Sequence, residues 1–103
     1  MGGMAKVQMS AEAKQVLKTA VNRDNDNPFA WYQLGIVYDR EGDEPRAALA
    51  TAERNNLEGK NKLALTSARM AMAGLPAGSP DYLRAQDIAM VSEEAVKKDK
   101  KQR

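Results

Sequence analysis

Histidine and cysteine are both absent from the 103 residues. Without an imidazole or a thiolate there is no disulfide, no His- or Cys-centred catalysis, and no ordinary zinc, haem or iron–sulfur site. Any chemistry run by this chain alone must use carboxylates, lysine, tyrosine or hydroxyls. Residues that favour strands are also scarce: valine and isoleucine together number 8, beside one Trp, three Tyr and one Phe. No stretch approaches the roughly 18 apolar residues of a membrane span. Residues 1–9 (MGGMAKVQM) lack the apolar core of a secretory signal, and Lys6 breaks the myristoylation pattern. They read as a flexible lead-in.

What is present is alanine, with 17 residues, and leucine, with 8. Together with lysine, glutamate and glutamine these are strong helix formers. The fold class expected is all-α, in one domain able to bury about 60–70% of its unfolded surface. The charge is unevenly placed. Residues 97–103 (KKDKKQR) hold five basic groups and one acidic, leaving eleven basic and thirteen acidic in the other 96. The basic character therefore belongs to a solvated tail over 97–103. A phosphate-tracking surface would spread basic residues over a folded face, so no nucleic-acid partner and no membrane insertion are expected.

Cap chemistry divides residues 10–96 into about five helices. Ser10 caps the first, which carries Ala13, Val16, Leu17 and Ala20 on one face and ends near Arg23. Asp24-Asn25-Asp26-Asn27-Pro28 is a turn, with Asn27 as cap and Pro28 at the first helical position. The second helix, about 28–41, sets Trp31, Leu34, Gly35 and Tyr38 on one face and stops at Gly42. Asp43-Glu44-Pro45 opens a third that ends at Gly59, and Asn61 caps a fourth. Ser79-Pro80-Asp81 opens a fifth, which frays into the lysine tail.

The spacing of these signals is regular. Gly42 and Gly59 lie 17 residues apart, as do Ala30, Ala47 and Ala64. A helix every 17 residues is a helix pair every 34, the tetratricopeptide period. Trp31, Leu34, Gly35 and Tyr38 meet that family's W-x2-L-G-x2-Y pattern. On these residues, and on Gly42-Asp43 and Ala47, the chain resembles the tetratricopeptide repeat family. Asn25 replaces the usual inter-repeat proline, and Thr51 and Arg54 match the second-helix core positions poorly. The Gly59 register also lets residues 45–58 be read as a first helix, so both alternations stay open in the second half. The resemblance implies an antiparallel array of about two and a half repeats wound as a right-handed superhelix.

A narrower resemblance rests on Asn27–Glu44, on Arg46–Glu53 and on Gly78–Ile88. These runs resemble the C-terminal repeat domain of bacterial periplasmic HExxH zinc metallopeptidases, the β-barrel assembly-enhancing protease group. It implies a substrate- or partner-binding module of an outer-membrane quality-control protease whose metal lies in another domain. It also implies a periplasmic location, with no cofactor and no catalytic residue in this chain. The alternative is a free-standing cytoplasmic adaptor, and a third class is weak self-association through unpaired end faces.

Phe29, Tyr32, Ile36, Asp39 and Arg40 lie off the Trp31/Leu34/Gly35/Tyr38 face. In the repeat family the matching positions line the concave groove, which makes these five the candidates for contact with a polypeptide partner or protease substrate. The competing reading packs residues 10–23 over them. Tyr32 and Ile36 stand where a carboxylate-gripping relative carries Lys and Asn, so apolar anchors with Asp39 and Arg40 on the rim are expected. Trp31 reads as inter-helix core, and Asp24–Asn27 as a capped turn rather than a calcium loop. The acids Asp39, Glu41, Asp43 and Glu44 read as solvated helix-end charges.

Overall fold

Side chains cap three of the helices where the sequence places them. Asn27 Oδ1 accepts from the N–H groups of Phe29 (3.0 Å) and Ala30 (3.3 Å), Asp43 Oδ1 from Arg46 N–H (3.2 Å), and Ser79 Oγ from Tyr82 N–H (3.2 Å). Each satisfies an N–H that the helix itself leaves free. Gly42 and Gly59 end the preceding helices at φ +76° and +75°, a left-handed conformation that a side chain disfavours. The computed structural model describes the backbone of residues 2–101 and the side chains of residues 11–101. It contains α1 (Gly2–Arg23), α2 (Pro28–Arg40), α3 (Glu44–Leu57), α4 (Asn61–Gly74) and α5 (Pro80–Lys101), packed sequentially antiparallel.

Three boundaries differ from the sequence reading. The expected lead-in over 1–9 is helical from Gly2, so Ser10 lies inside α1 instead of capping it. Between Met4 and Met9 there is no Gly or Pro, so nothing in that run stops the helix at Ser10; the glycines Gly2 and Gly3 lie at its very start. Lys60, not Asn61, holds the cap position of α4 and makes no side-chain cap bond. Beyond Gly59 the chain enters the helix one residue early, and Lys60 O already accepts from Ala64 N–H (2.9 Å). At the other end α5 does not fray at Val96 but continues to Lys101. Lys98, Lys100 and Lys101 occupy its last turn, where cations offset the negative end of the helix dipole. Their side chains are exposed, and the remaining tail, Gln102 and Arg103, lies outside the described residues.

The interior consists of two clusters. Leu49, Ala52, Ala64, Ala68, Ala71, Leu75, Ala85, Ile88 and Ala89 join α3, α4 and α5, and five of these alanines are wholly inaccessible. Val21, Ala30, Leu34 and Tyr38, with Leu17, Trp31 and Ala47 packed against them, join α1, α2 and the start of α3. Successive helices pack together and α3 also approaches α5. Among the described residues no close backbone approach joins α1 to α3 or α2 to α4.

Gly35, a position of the W-x2-L-G-x2-Y pattern, faces α3. A Cβ added there would stand 3.5 Å from Ala50 Cβ, an ordinary contact. The demanding glycine is Gly74, where an added Cβ would meet the Pro45 ring at 2.5 Å. Gly74→Ala should therefore lower stability by about 1–3 kcal/mol through overpacking. Gly35→Ala should be neutral, or stabilising by up to about 1 kcal/mol, since it removes backbone freedom in mid-helix. Urea denaturation of the two variants checks the order, and a greater loss for Gly35→Ala would contradict it.

Candidate functional site

The missing α2–α4 approach leaves a groove of ≈ 500 Å³ over α3. Tyr32, Ile36 and Asp39 of α2 form one side, Ala47, Ala48 and Thr51 of α3 the floor, and Met70 of α4 lies opposite. Gly35, Glu44 and Arg54 complete the lining. Of the five residues proposed from sequence, the groove brings together Tyr32, Ile36 and Asp39. Phe29 (65% exposed) and Arg40 are solvent-facing but outside its lining.

Residues 11–23 do not cover this face. Leu17 and Val21 of α1 pack on the opposite side of α2, against Trp31, Leu34 and Tyr38. Tyr32 stays 47% and Ile36 37% exposed. Trp31 belongs to that packing, its indole N–H donating to the Asn25 carbonyl (2.9 Å). In the preceding turn Asp26 N–H donates to Asp24 Oδ1 (3.1 Å), the local bond expected of a capped turn.

Sequence reasoning missed Arg54 and Met70. The Arg54 guanidinium lies 5.0 Å from the centroid of the Tyr32 ring, a cation–π contact worth about 0.5–1 kcal/mol at an exposed site. Its Nε is buried without a hydrogen-bond partner among the described residues. For Arg54 the sequence did carry a signal: Thr51 and Arg54 match core positions poorly, and both face the groove. Met70 (63% exposed) carried no comparable signal, since its role depends on where α4 lies relative to α2.

On the other side of α2, the gap between α1 and α3 forms a second cleft, of ≈ 310 Å³. Trp31, Leu34 and Leu49 give it apolar surface, and its far wall carries two ion-pair systems. Arg46 bridges Asp43 (Nη1–Oδ2 3.1 Å) and Asp81 (Nε–Oδ2 2.9 Å). Arg84 grips Glu53 in bidentate fashion (2.6 and 2.8 Å), and Glu53 is only 2% exposed. The hydrogen bond that Arg46 donates to Asp43 is the main cause that raises the Arg46 pKa, and the bonds that Arg84 donates to Glu53 raise the Arg84 pKa. Burial, then the nearby Asp81 charge, raises that of Tyr38, so the phenol stays protonated.

The acids at the α2–α3 turn divide by role. Asp43 caps α3 and holds Arg46, Glu41 pairs with Lys14 (3.2 Å), and Asp39 and Glu44 line the groove. Among the described residues no group of three or more His, Cys, Asp or Glu is placed to hold a metal ion. Nor is any described helix long and apolar enough to cross a membrane.

Exposure implies that the Tyr32→Ala/Ile36→Ala double variant keeps its full helical circular-dichroism signal and loses no more than about 1–2 kcal/mol. Collapse of that signal would make both residues core. Arg84→Met should cost more, about 2–3 kcal/mol by thermal or urea unfolding, because it strands the buried Glu53 carboxylate. Comparison with family models, curated proteins and solved structures gives no match to this chain.

Proposed function

We propose that this chain is a non-catalytic, tetratricopeptide-like module that binds polypeptide in the groove between α2 and α4. The observation that carries the reading is the uncovered pair Tyr32 and Ile36, with Arg54 stacked on the tyrosine ring beside them. A large aromatic and an aliphatic residue exposed together over a small-residue floor suit capture of apolar side chains. Asp39 and Glu44 on one part of the rim and Arg54 on another can read flanking charges.

The W-x2-L-G-x2-Y residues support the repeat reading through their packing. Trp31, Leu34 and Tyr38 hold α1 against α2, and Ala47 joins them from α3. A 34-residue period pairs α1 with α3, α2 with α4 and α3 with α5, and of these pairs only α3 and α5 approach closely among the described residues. By the narrower resemblance, the module recruits substrates or assembly partners for a periplasmic zinc metallopeptidase. A native polypeptide of this length alone, with no HExxH domain, would overturn that part and leave a cytoplasmic adaptor.

The groove is tested with a fluorescein-labelled unfolded polypeptide rich in aromatic and aliphatic residues. Tyr32→Ala/Ile36→Ala should weaken binding by about tenfold or more, as loss of a hot-spot pair does. Unchanged affinity in a folded double variant would refute the groove as the site.

A further inference from the structure

Three charged residues line the α2–α4 groove, Asp39, Glu44 and Arg54, and none has an ion-pair partner among the described residues. Their charged neighbours at the α2–α3 turn are already matched, Glu41 by Lys14 and Asp43 by Arg46. Arg54 is the sharper case. Glu58 lies four residues on, within reach for a helical pair, yet its carboxylate is turned to Lys60 (3.6 Å). The Arg54 guanidinium lies instead over the Tyr32 ring, with Nε buried and without a hydrogen-bond partner among the described residues. An arginine that has lost part of its hydration without gaining an acceptor is costly, and a carboxylate is the acceptor its planar fork fits best.

Chain direction sets the two signs at opposite ends of the groove. Asp39 and Glu44 flank the α2–α3 turn. Arg54 stands ten residues beyond Glu44, about 15 Å along α3. There it meets Tyr32, which lies seven residues before Asp39 on the antiparallel α2. The lining between the two ends, Ile36, Ala47, Ala48 and Thr51 with Met70 across from them, carries no charge.

We infer that the groove reads charge order along its length. It takes a polypeptide segment that sets an aspartate or glutamate side chain on Arg54 and a lysine or arginine side chain at the Asp39/Glu44 end, with apolar side chains between. A segment lying the other way round would put like charges together at both ends, so the same three residues also fix its direction. The inference rests on the groove being a polypeptide site and adds which charge goes where.

The full chain is titrated calorimetrically with end-capped peptides, so that no terminal carboxylate or amine competes. Each has a middle of Leu, Phe and Ala, and Gly-Ser spacers that let the flanking residues stand about 15 Å apart. The flanks are Glu and Lys, Glu and Gln, Gln and Lys, or Gln and Gln. The Glu/Lys peptide should bind about tenfold tighter than the Gln/Gln peptide at low salt, with the advantage shrinking to under about threefold at about 0.5 M salt. Arg54→Gln should abolish the preference for Glu over Gln and keep that for Lys over Gln, and Asp39→Asn/Glu44→Gln should do the reverse. Each preference is a ratio taken within one variant, so any change in the packing of Tyr32 cancels. Equal affinity for the Glu/Gln and Gln/Gln peptides in the unaltered chain, or a Glu preference that survives Arg54→Gln, would overturn the inference. The groove reading stands even then if Tyr32→Ala/Ile36→Ala weakens the Gln/Gln peptide. No binding by any peptide, or binding indifferent to that double variant, fails the groove itself and the inference with it.

Discussion

The close approach of α3, α4 and α5 is the constraint on which the rest depends. Ala52, Ala64, Ala68, Ala71 and Ala85 are fully inaccessible, and each presents only a methyl group to the neighbouring helix. Small side chains bring helix backbones near enough for dispersion contacts along their length, and the packed interior leaves little room for enlargement. Pro45 against Gly74 extends the same tightness to the helix ends. With α3 drawn to both α4 and α5, α2 is left to pack on α3 and α1 only, and α1 on α2 only. The groove and the cleft are the spaces between alternate helices that this packing does not close.

Charge is used inside this scaffold where shape alone leaves freedom. A methyl-lined interface lets helices slide, whereas a bidentate guanidinium–carboxylate pair has one good geometry. Glu53 sits on α3 within reach of the buried alanines, and Arg84 reaches it from α5. Arg46 on α3 makes a second bridge to Asp81 near the start of α5. The two pairs fix α5 against α3 at two heights. The desolvation of Glu53 is offset only while Arg84 holds both its oxygens.

Much of the fold was legible because it was written in local chemistry. Asn27, Asp43, Ser79, Gly42 and Gly59 mark boundaries through their own backbone preferences, and the structure keeps all five marks. The errors at Ser10 and Asn61 arose where a capping residue competed with a helix that could start earlier. The candidate site was legible in part. Tyr32, Ile36 and Asp39 follow from one helix's periodicity, but Arg54 and Met70 come from other helices and needed the packing to bring them in. The Glu53–Arg84 pair spans 31 residues. No local pattern announces a buried glutamate in an alanine-rich helix, so the second cleft was invisible to sequence. The tight glycine contact was hidden for a related reason: the family pattern marks Gly35, yet the close approach is at Gly74, outside the pattern.

The division between scaffold and surface bears on how such a chain can change partners. Tyr32, Ile36, Thr51, Arg54 and Met70 stand outside both core clusters, so replacing them leaves the buried alanines untouched. The cleft is different, because Trp31, Leu34, Tyr38 and Leu49 are core residues as well as its lining. Truncating Leu34, Trp31 or Leu49 would loosen the packing of α1 and α3 on α2. Physical constraint thus ties the cleft more closely to the core than the groove, where of the lining residues only the floor alanines Ala47 and Ala48 pack against the core clusters.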